Sequence, residues 1–183
     1  MNPSPNLYLI GPMGAGKSSI GRRLAEHFGM PCVDLDAAIE ERTGASVATI
    51  FEIEGESGFR RRESDLLAEF SVQDGIVLAT GGGAVLVPEN RALLRGCGFV
   101  VWLQASIEQQ LQRLARDRQR PLLVAPDRRE RLEHLARERD PVYRDLADLV
   151  VASTDESCQH AATRIATLLE QHWQRASATK ANV

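Results

Sequence analysis

The sequence predicts an α/β fold: a single domain with a parallel sheet of five strands, flanked by helices in three layers. Three observations carry this prediction. Five short apolar runs alternate with longer segments of helical periodicity. The runs are apolar at nearly every position, as strands covered on both faces are. The first run ends in a glycine-rich loop, Gly11-Pro12-Met13-Gly14-Ala15-Gly16-Lys17-Ser18, which opens directly into the first helix.

Residues 7–10 form the first strand, ending at Gly11. The segment 17–28 is a helix, with Ile20, Leu24 and Phe28 four apart and Gly29 as its stop. A second strand over 32–35 leads into Asp36. Segments 37–43 and 47–54 are short helices separated by Gly44, and 57–70 is a longer amphipathic helix. The third strand, 76–79, is stopped by Gly81-Gly82-Gly83. Pro88 opens a helix over 88–95. After a fourth strand over 99–103, Ser106 and Gln109 make a capping box for a helix over 107–116. Residues 117–127 are irregular and polar, with Pro121 and Pro126. A helix over 128–137, a fifth strand over 149–152 and a last helix over 157–175 complete the chain, and the tail 177–183 is expected to fray.

Composition narrows the function classes. The chain has 183 residues, 43% of them apolar and 26% charged, which suits one well-packed domain and excludes a disordered chain. Its 22 basic and 25 acidic residues leave a net charge of −3, which argues against nucleic-acid binding driven by charge. No apolar run approaches the roughly 20 residues that cross a bilayer, and the N-terminus does not read as a signal peptide. Cys32, Cys97 and Cys158 are scattered, without a C-x-x-C, so a disulfide framework or zinc site is not expected and a reducing cytoplasm is. Only Lys17 and Lys180 among the basic residues are lysines, so position 17 calls for a compact point charge where the chain otherwise uses arginine.

The glycine-rich loop fits G-x-x-x-x-G-K-[ST] in its proper strand-to-helix context. Its glycines let the backbone approach a phosphate, and the N–H groups at the helix start face the anion. Gly14, Ala15, Gly16, Lys17, Ser18 and Ser19 are therefore the candidate ligands of a nucleoside triphosphate, with Lys17 reaching the terminal phosphates and the Ser18 hydroxyl placed for Mg2+. The base-reading N-K-x-D of GTPases is absent, and the third strand runs into Thr80 without an acid. Asp34 and Asp36 are then the available carboxylates. Alternation along a strand would aim both the same way, one towards metal and one towards an acceptor hydroxyl; the competing reading is that they cap the next helix.

Further candidates follow. Arg60 and Glu63 share a helix face, so the acid can orient a guanidinium suited to a small carboxylate. Gly81, Gly82 and Gly83 at a strand end imply either close approach to the backbone, with a bound ligand's carboxylate or hydroxyls as one explanation, or a tight turn. Residues 113–144 hold ten arginines and six acids. Within them Arg120-Pro121-Leu122-Leu123 has the form of a mobile lid whose arginine closes on the transferred phosphoryl group. Arg139, ahead of Pro141 and Tyr143, is a second anion ligand, and Arg113 a candidate for stacking on adenine. The four histidines, lacking any ligand-like grouping, read as surface residues.

In order and spacing, the phosphate loop, Asp34-x-Asp36, Phe59-Arg60-x-x-Glu63, Gly81-Gly82-Gly83-Ala84, Arg120-Pro121-Leu122-Leu123 and Arg139-x-Pro141-x-Tyr143 together resemble the shikimate kinases. The resemblance implies a P-loop fold like that of the nucleoside monophosphate kinases. It implies a substrate-binding region at about 31–62 plus 81–84 and a lid at about 113–127. It further implies Mg2+-dependent transfer of the ATP γ-phosphate to the 3-hydroxyl of shikimate, in aromatic amino-acid biosynthesis. Arg60 and Arg139 would take the carboxylate of shikimate and Asp36 its hydroxyl, with Gly82 alongside. Lys17 and Arg120 would stabilise the phosphoryl group, while Ser18 and, through water, Asp34 would hold Mg2+. The adenine site is expected near Ser153–Ser157, a stretch with no basic residue. A cytoplasmic monomer without nucleic-acid or membrane partners is implied. Competing readings are another small-metabolite kinase of this architecture, such as a gluconate kinase, and an inactive ATP-binding module.

Overall fold

The computed structural model describes residues 4–115, 127–154 and 156–175. Strands and helices alternate along it: β1 (Asn6–Ile10), α1 (Lys17–Phe28), β2 (Cys32–Asp34), α2 (Leu35–Thr43), α3 (Val47–Ser71), β3 (Val77–Ala79), α4 (Pro88–Cys97), β4 (Gly98–Gln104), α5 (Ile107–Arg113), α6 (Arg128–Leu146), β5 (Leu149–Ala152) and α7 (Cys158–His172). The five strands form one parallel sheet in the order β2-β3-β1-β4-β5.

The two-residue period of the strands sorts their side chains into two cores. Leu7, Leu9, Val101 and Leu103 point to one face, where they pack with Leu24 of α1 and Leu169 of α7. Tyr8, Ile10, Val100 and Trp102 point to the other, against Leu67, Leu94 and Tyr143 of α3, α4 and α6. Burial on both faces is why these strands read as unbroken apolar runs. The chain leaves central β1 towards β2 and β3 on one side, and β4 and β5 extend the sheet on the other. The carboxyl end of β1 is thus the crevice where such sheets bind ligands.

Several boundaries differ from the sequence reading. Leu35 belongs to α2, not β2, because Asp34 caps that helix by accepting from the Ala37 N–H at 3.2 Å. Asp36 consequently lies in the first turn of a helix, and strand alternation with Asp34 does not apply. The expected helices 47–54 and 57–70 form one element, α3, broken at Gly55, whose φ of 71° and ψ of −179° interrupt the helix. Helix α5 is shorter than expected, although its Ser106–Gln109 capping box is present. Helix α6 continues nine residues past the expected end, through Pro141. Pro141 is exposed, while Leu132, Leu135, Arg139, Tyr143 and Leu146 stay buried on one face and keep the helix docked across the one lost hydrogen bond.

Candidate functional site

The phosphate loop joins β1 to α1. Gly11, Gly14 and Gly16 have φ of 137°, 76° and 89°, values that a side chain would oppose, so the loop's path requires glycine there. Gly16 caps α1 without a side-chain hydrogen bond, which leaves the first-turn N–H groups facing the crevice. Lys17 is nearly buried and its Nζ donates to the carbonyls of Gly11 and Pro12, each at 2.8 Å. Its ammonium is thereby drawn back over the loop.

Two cavities flank this loop. The larger, of about 820 Å³, is lined by Ser18 and Asp34 together with Asp36, Arg60, Arg139 and the three glycines 81–83. Residues from α1, the β2–α2 junction, α3, the loop after β3, and α6 thus converge at the carboxyl ends of the strands. Arg120 lies outside the described residues, as does most of the expected lid.

The charges in the larger cavity are held tightly. Glu63 is fully buried on α3, and its Oε2 accepts from Arg60 Nη1 at 2.6 Å. Arg60 also pairs with Glu56 at 3.2 Å and lies over the Phe59 ring. Burial pushes the Glu63 carboxyl above its ordinary value, with nearby Asp36 adding to the rise against the pull of Arg60 and Arg139. Arg139 is 95% buried, since only 5% of its surface is exposed, and its Nε has no hydrogen-bond partner among the described residues. Its nearest acid is Glu138, at 4.0 Å from Nε, too long for a hydrogen bond, and a buried guanidinium left so is costly unless an anion completes it. Two fixed guanidiniums in one cavity suit a carboxylate ligand.

The triple glycine has a spatial cause. None of the three has a positive φ, so the backbone path itself does not require glycine. A Cβ at Gly81 would collide with Glu63 Oε1 and come within 3.0 Å of Asp36 Oδ1, and one at Gly83 would collide with the Arg60 guanidinium. The close approach is therefore made by the chain's own charged side chains, where the sequence reading offers a bound ligand. Gly82 is held from α6: the Tyr143 hydroxyl donates to its carbonyl. Burial pushes the Tyr143 phenol upward, so it stays protonated and remains a donor.

The smaller cavity, of about 210 Å³, lies on the other side of the loop. Ala15, Gly16 and Ser19 line it from the loop and α1. Arg113 lines it from α5, donating from Nη1 to the Gly14 carbonyl at 3.0 Å and from Nη2 to Ser153 Oγ at 2.8 Å. The segment after β5 forms another wall. That segment has no basic residue of its own, but Arg164 of α7 reaches back to it. Sequence reading missed Arg164. The only trace was helical phase: Cys158, Ala161 and Ile165 turn towards the cavity and Arg164 adjoins that stripe.

Among the described residues no three His, Cys, Asp or Glu side chains group as a metal site. Ser18 and Asp34 do share the larger cavity at the head of α1. One hydroxyl and one carboxylate suit Mg2+, which binds through one or two protein oxygens, waters and substrate phosphates.

Comparison with known proteins agrees with this architecture. The family model described as shikimate kinase matches residues 13–170. A shikimate kinase of Stenotrophomonas maltophilia is 52% identical over 179 residues, covering 98% of this chain and 99% of its own. One from Thioalkalivibrio sulfidiphilus is 57% identical over 157 residues, covering 86% and 83%. The solved structure of shikimate kinase from Acinetobacter baumannii in complex with shikimate superposes with a TM-score of 0.89 at 44% identity, covering 92% of this chain and 94% of that one. A phosphate loop at the carboxyl end of β1, an arginine-rich cavity beside it and these matches over nearly the whole length agree on one assignment: the chain belongs to the shikimate kinase family.

Proposed function

We propose that the chain is a shikimate kinase that transfers the γ-phosphoryl group of ATP to the 3-hydroxyl of shikimate. The observation that carries this reading is the convergence of Asp36, Arg60 and Arg139 around Gly81–Gly83 in the cavity that also contains Ser18 of the phosphate loop. Arg60 and Arg139 bind the acceptor carboxylate, and Arg139 Nε, paired with Glu138 only at 4.0 Å, gains a hydrogen-bond partner. Asp36, in the first turn of α2, accepts a hydrogen bond from the reacting hydroxyl and aligns its oxygen for in-line attack. Glu63 holds Arg60 in place, and Tyr143 fixes Gly82 beside the acceptor.

On the nucleotide side, Gly14, Ala15, Gly16 and Ser19 cradle the phosphates through the loop and the start of α1. Lys17 exchanges its two carbonyl partners for phosphate oxygens and stabilises charge on the group in flight. Ser18 and Asp34 are the residues that would hold Mg2+; neutralisation of the phosphate oxygens is what the ion supplies when bound. Arg120 has the sequence position of a lid arginine and, in this reading, closes over the phosphoryl group and excludes water. The expected division into a substrate-binding region, 31–62 with 81–84, and a lid, 113–127, belongs to the same reading. So does a cytoplasmic monomer, a compartment that suits three free cysteines. Among the described residues no helix is long and apolar enough to cross a membrane.

The test is coupled ADP release by purified protein with ATP and Mg2+, offered shikimate, gluconate or no acceptor. Release that depends on shikimate is expected. Release with gluconate instead, or nucleotide binding without turnover on any acceptor, would overturn the reading.

A further inference from the structure

We infer that Arg164, held by Glu156, forms a wall of the nucleotide-base pocket and sets affinity for ATP and ADP without taking part in the chemistry. This rests on the proposed function, because it places the base in the smaller cavity. That cavity lies on the opposite side of the phosphate loop from Asp36, Arg60 and Arg139, and its volume of about 210 Å³ accommodates a purine. Its floor is apolar, made by Ile20, Leu103, Val151 and Ile165. A flat aromatic ring needs such a floor together with a planar, weakly hydrated group to stack on, and guanidinium is that group.

Two guanidiniums line the cavity, and both anchor the same segment after β5. Arg113 reaches Ser153 from α5. Arg164 reaches it from α7: Nη2 donates to the Ala152 carbonyl at 3.2 Å, and Nη2 and Nε both donate to Glu156 Oε1, at 2.6 and 3.0 Å. Thr154 Oγ1 donates to the same carboxylate oxygen. These bonds take the edge of the Arg164 fork and fix its plane at the cavity, so little side-chain entropy remains to be lost when a base arrives. Arg113, Thr154 and Glu156 are further polar walls, beside Ser19, Gln104 and Ser153. Arg164 thus supplies, from eleven residues further along the chain, the basic group that the stretch after β5 lacks.

The variants Arg164→Met and Glu156→Gln separate this role from a structural one. The first keeps the apolar stem and removes the plane; the second keeps the plane and loosens it. In Arg164→Met, ADP affinity by calorimetry and the KM for ATP should both weaken roughly five- to thirtyfold, the range for losing a partly desolvated cation–π contact. The kcat, the KM for the acceptor and the affinity for inorganic tripolyphosphate, which has no base, should stay within about twofold of the parent. Glu156→Gln should move the same two nucleotide readouts in the same direction by less. The inference is overturned by unchanged ADP affinity in Arg164→Met, by an equal loss for tripolyphosphate, or by a matching rise in acceptor KM. If Arg164→Met does not fold, Glu156→Gln decides by the same readouts. Parent protein that binds tripolyphosphate but not ADP would remove the base site from this cavity, whereas parent protein that binds ADP without turning over would sink the proposed function alone.

Discussion

Replacing Gly83 by alanine should separate acceptor binding from nucleotide binding with a single methyl group. The backbone at Gly83 has φ −101° and ψ −1°, which alanine adopts freely, so the substitution acts through space alone. The new Cβ would collide with Arg60 Nη2 and come within 2.6 Å of Cζ and 2.9 Å of Nη1, against about 3.5 Å for an ordinary contact, so the guanidinium must retreat by more than about 1 Å. A charge-assisted hydrogen bond to a ligand carboxylate contributes about 1.5–3 kcal/mol, and a shift of that size forfeits most of it. The acceptor KM of Gly83→Ala should therefore rise about 10- to 150-fold, while the ATP KM stays within about twofold. Steady-state kinetics with each substrate varied in turn measures both. A double-mutant cycle with Arg60→Met sharpens the test: once Arg60 is gone, Gly83→Ala should add little. Normal acceptor KM in Gly83→Ala, or strict additivity in the cycle, would refute the assignment of Arg60 to the acceptor carboxylate.

Other outcomes follow from the same geometry. Lys17→Met should lose at least about 10²-fold in kcat while its melting curve stays cooperative, since two of the amine's partners are loop carbonyls; a fully active variant would contradict the phosphate-loop assignment. Asp36→Asn should lower kcat by about 10²-fold, with ADP affinity by calorimetry unchanged. Gly98→Ala would drive a Cβ into the buried Tyr8 ring, at a cost of about 1–3 kcal/mol and roughly 3–10 °C in Tm, read by thermal denaturation. Glu63 gives the pH dependence. Burial raises its carboxyl in the folded state, so its contribution to stability is whole below the unfolded value of about 4.3 and is lost as pH rises through the higher folded value. The Tm of the parent relative to Glu63→Gln should then fall as pH rises above that unfolded value, and a difference that grows with rising pH would contradict it.

The sequence was most legible where local chemistry leaves one solution. Lys17–Phe28 is bounded by Gly16 and Gly29, both in left-handed backbone, and the predicted helix matches the observed one at both ends. The five strands were visible because burial on both faces makes them uniformly apolar. It was less legible where tertiary contacts outweigh local signals. The sequence reading ends this helix at 137, yet the buried face from Leu132 to Leu146 carries α6 on through Pro141 and thereby sets Arg139 and Tyr143 on one side. The triple glycine announced close approach but suggested a ligand, whereas the groups that approach, Glu63, Asp36 and Arg60, come from α2 and α3. Arg164 was hidden for the same reason: its partners lie across a helix turn and a loop, and no motif spacing records them. The site motifs were found through their resemblance to a family, and the structure adds which of them share a cavity.

The central claim is that the cluster of Asp36, Arg60 and Arg139 presents the 3-hydroxyl of shikimate to the phosphate loop. Phosphorus–proton correlation NMR of the product formed from ATP and shikimate tests it most directly. A single phosphate ester coupled to the proton on carbon 3 is the predicted result. Phosphate on another hydroxyl, or inorganic phosphate alone, would contradict it.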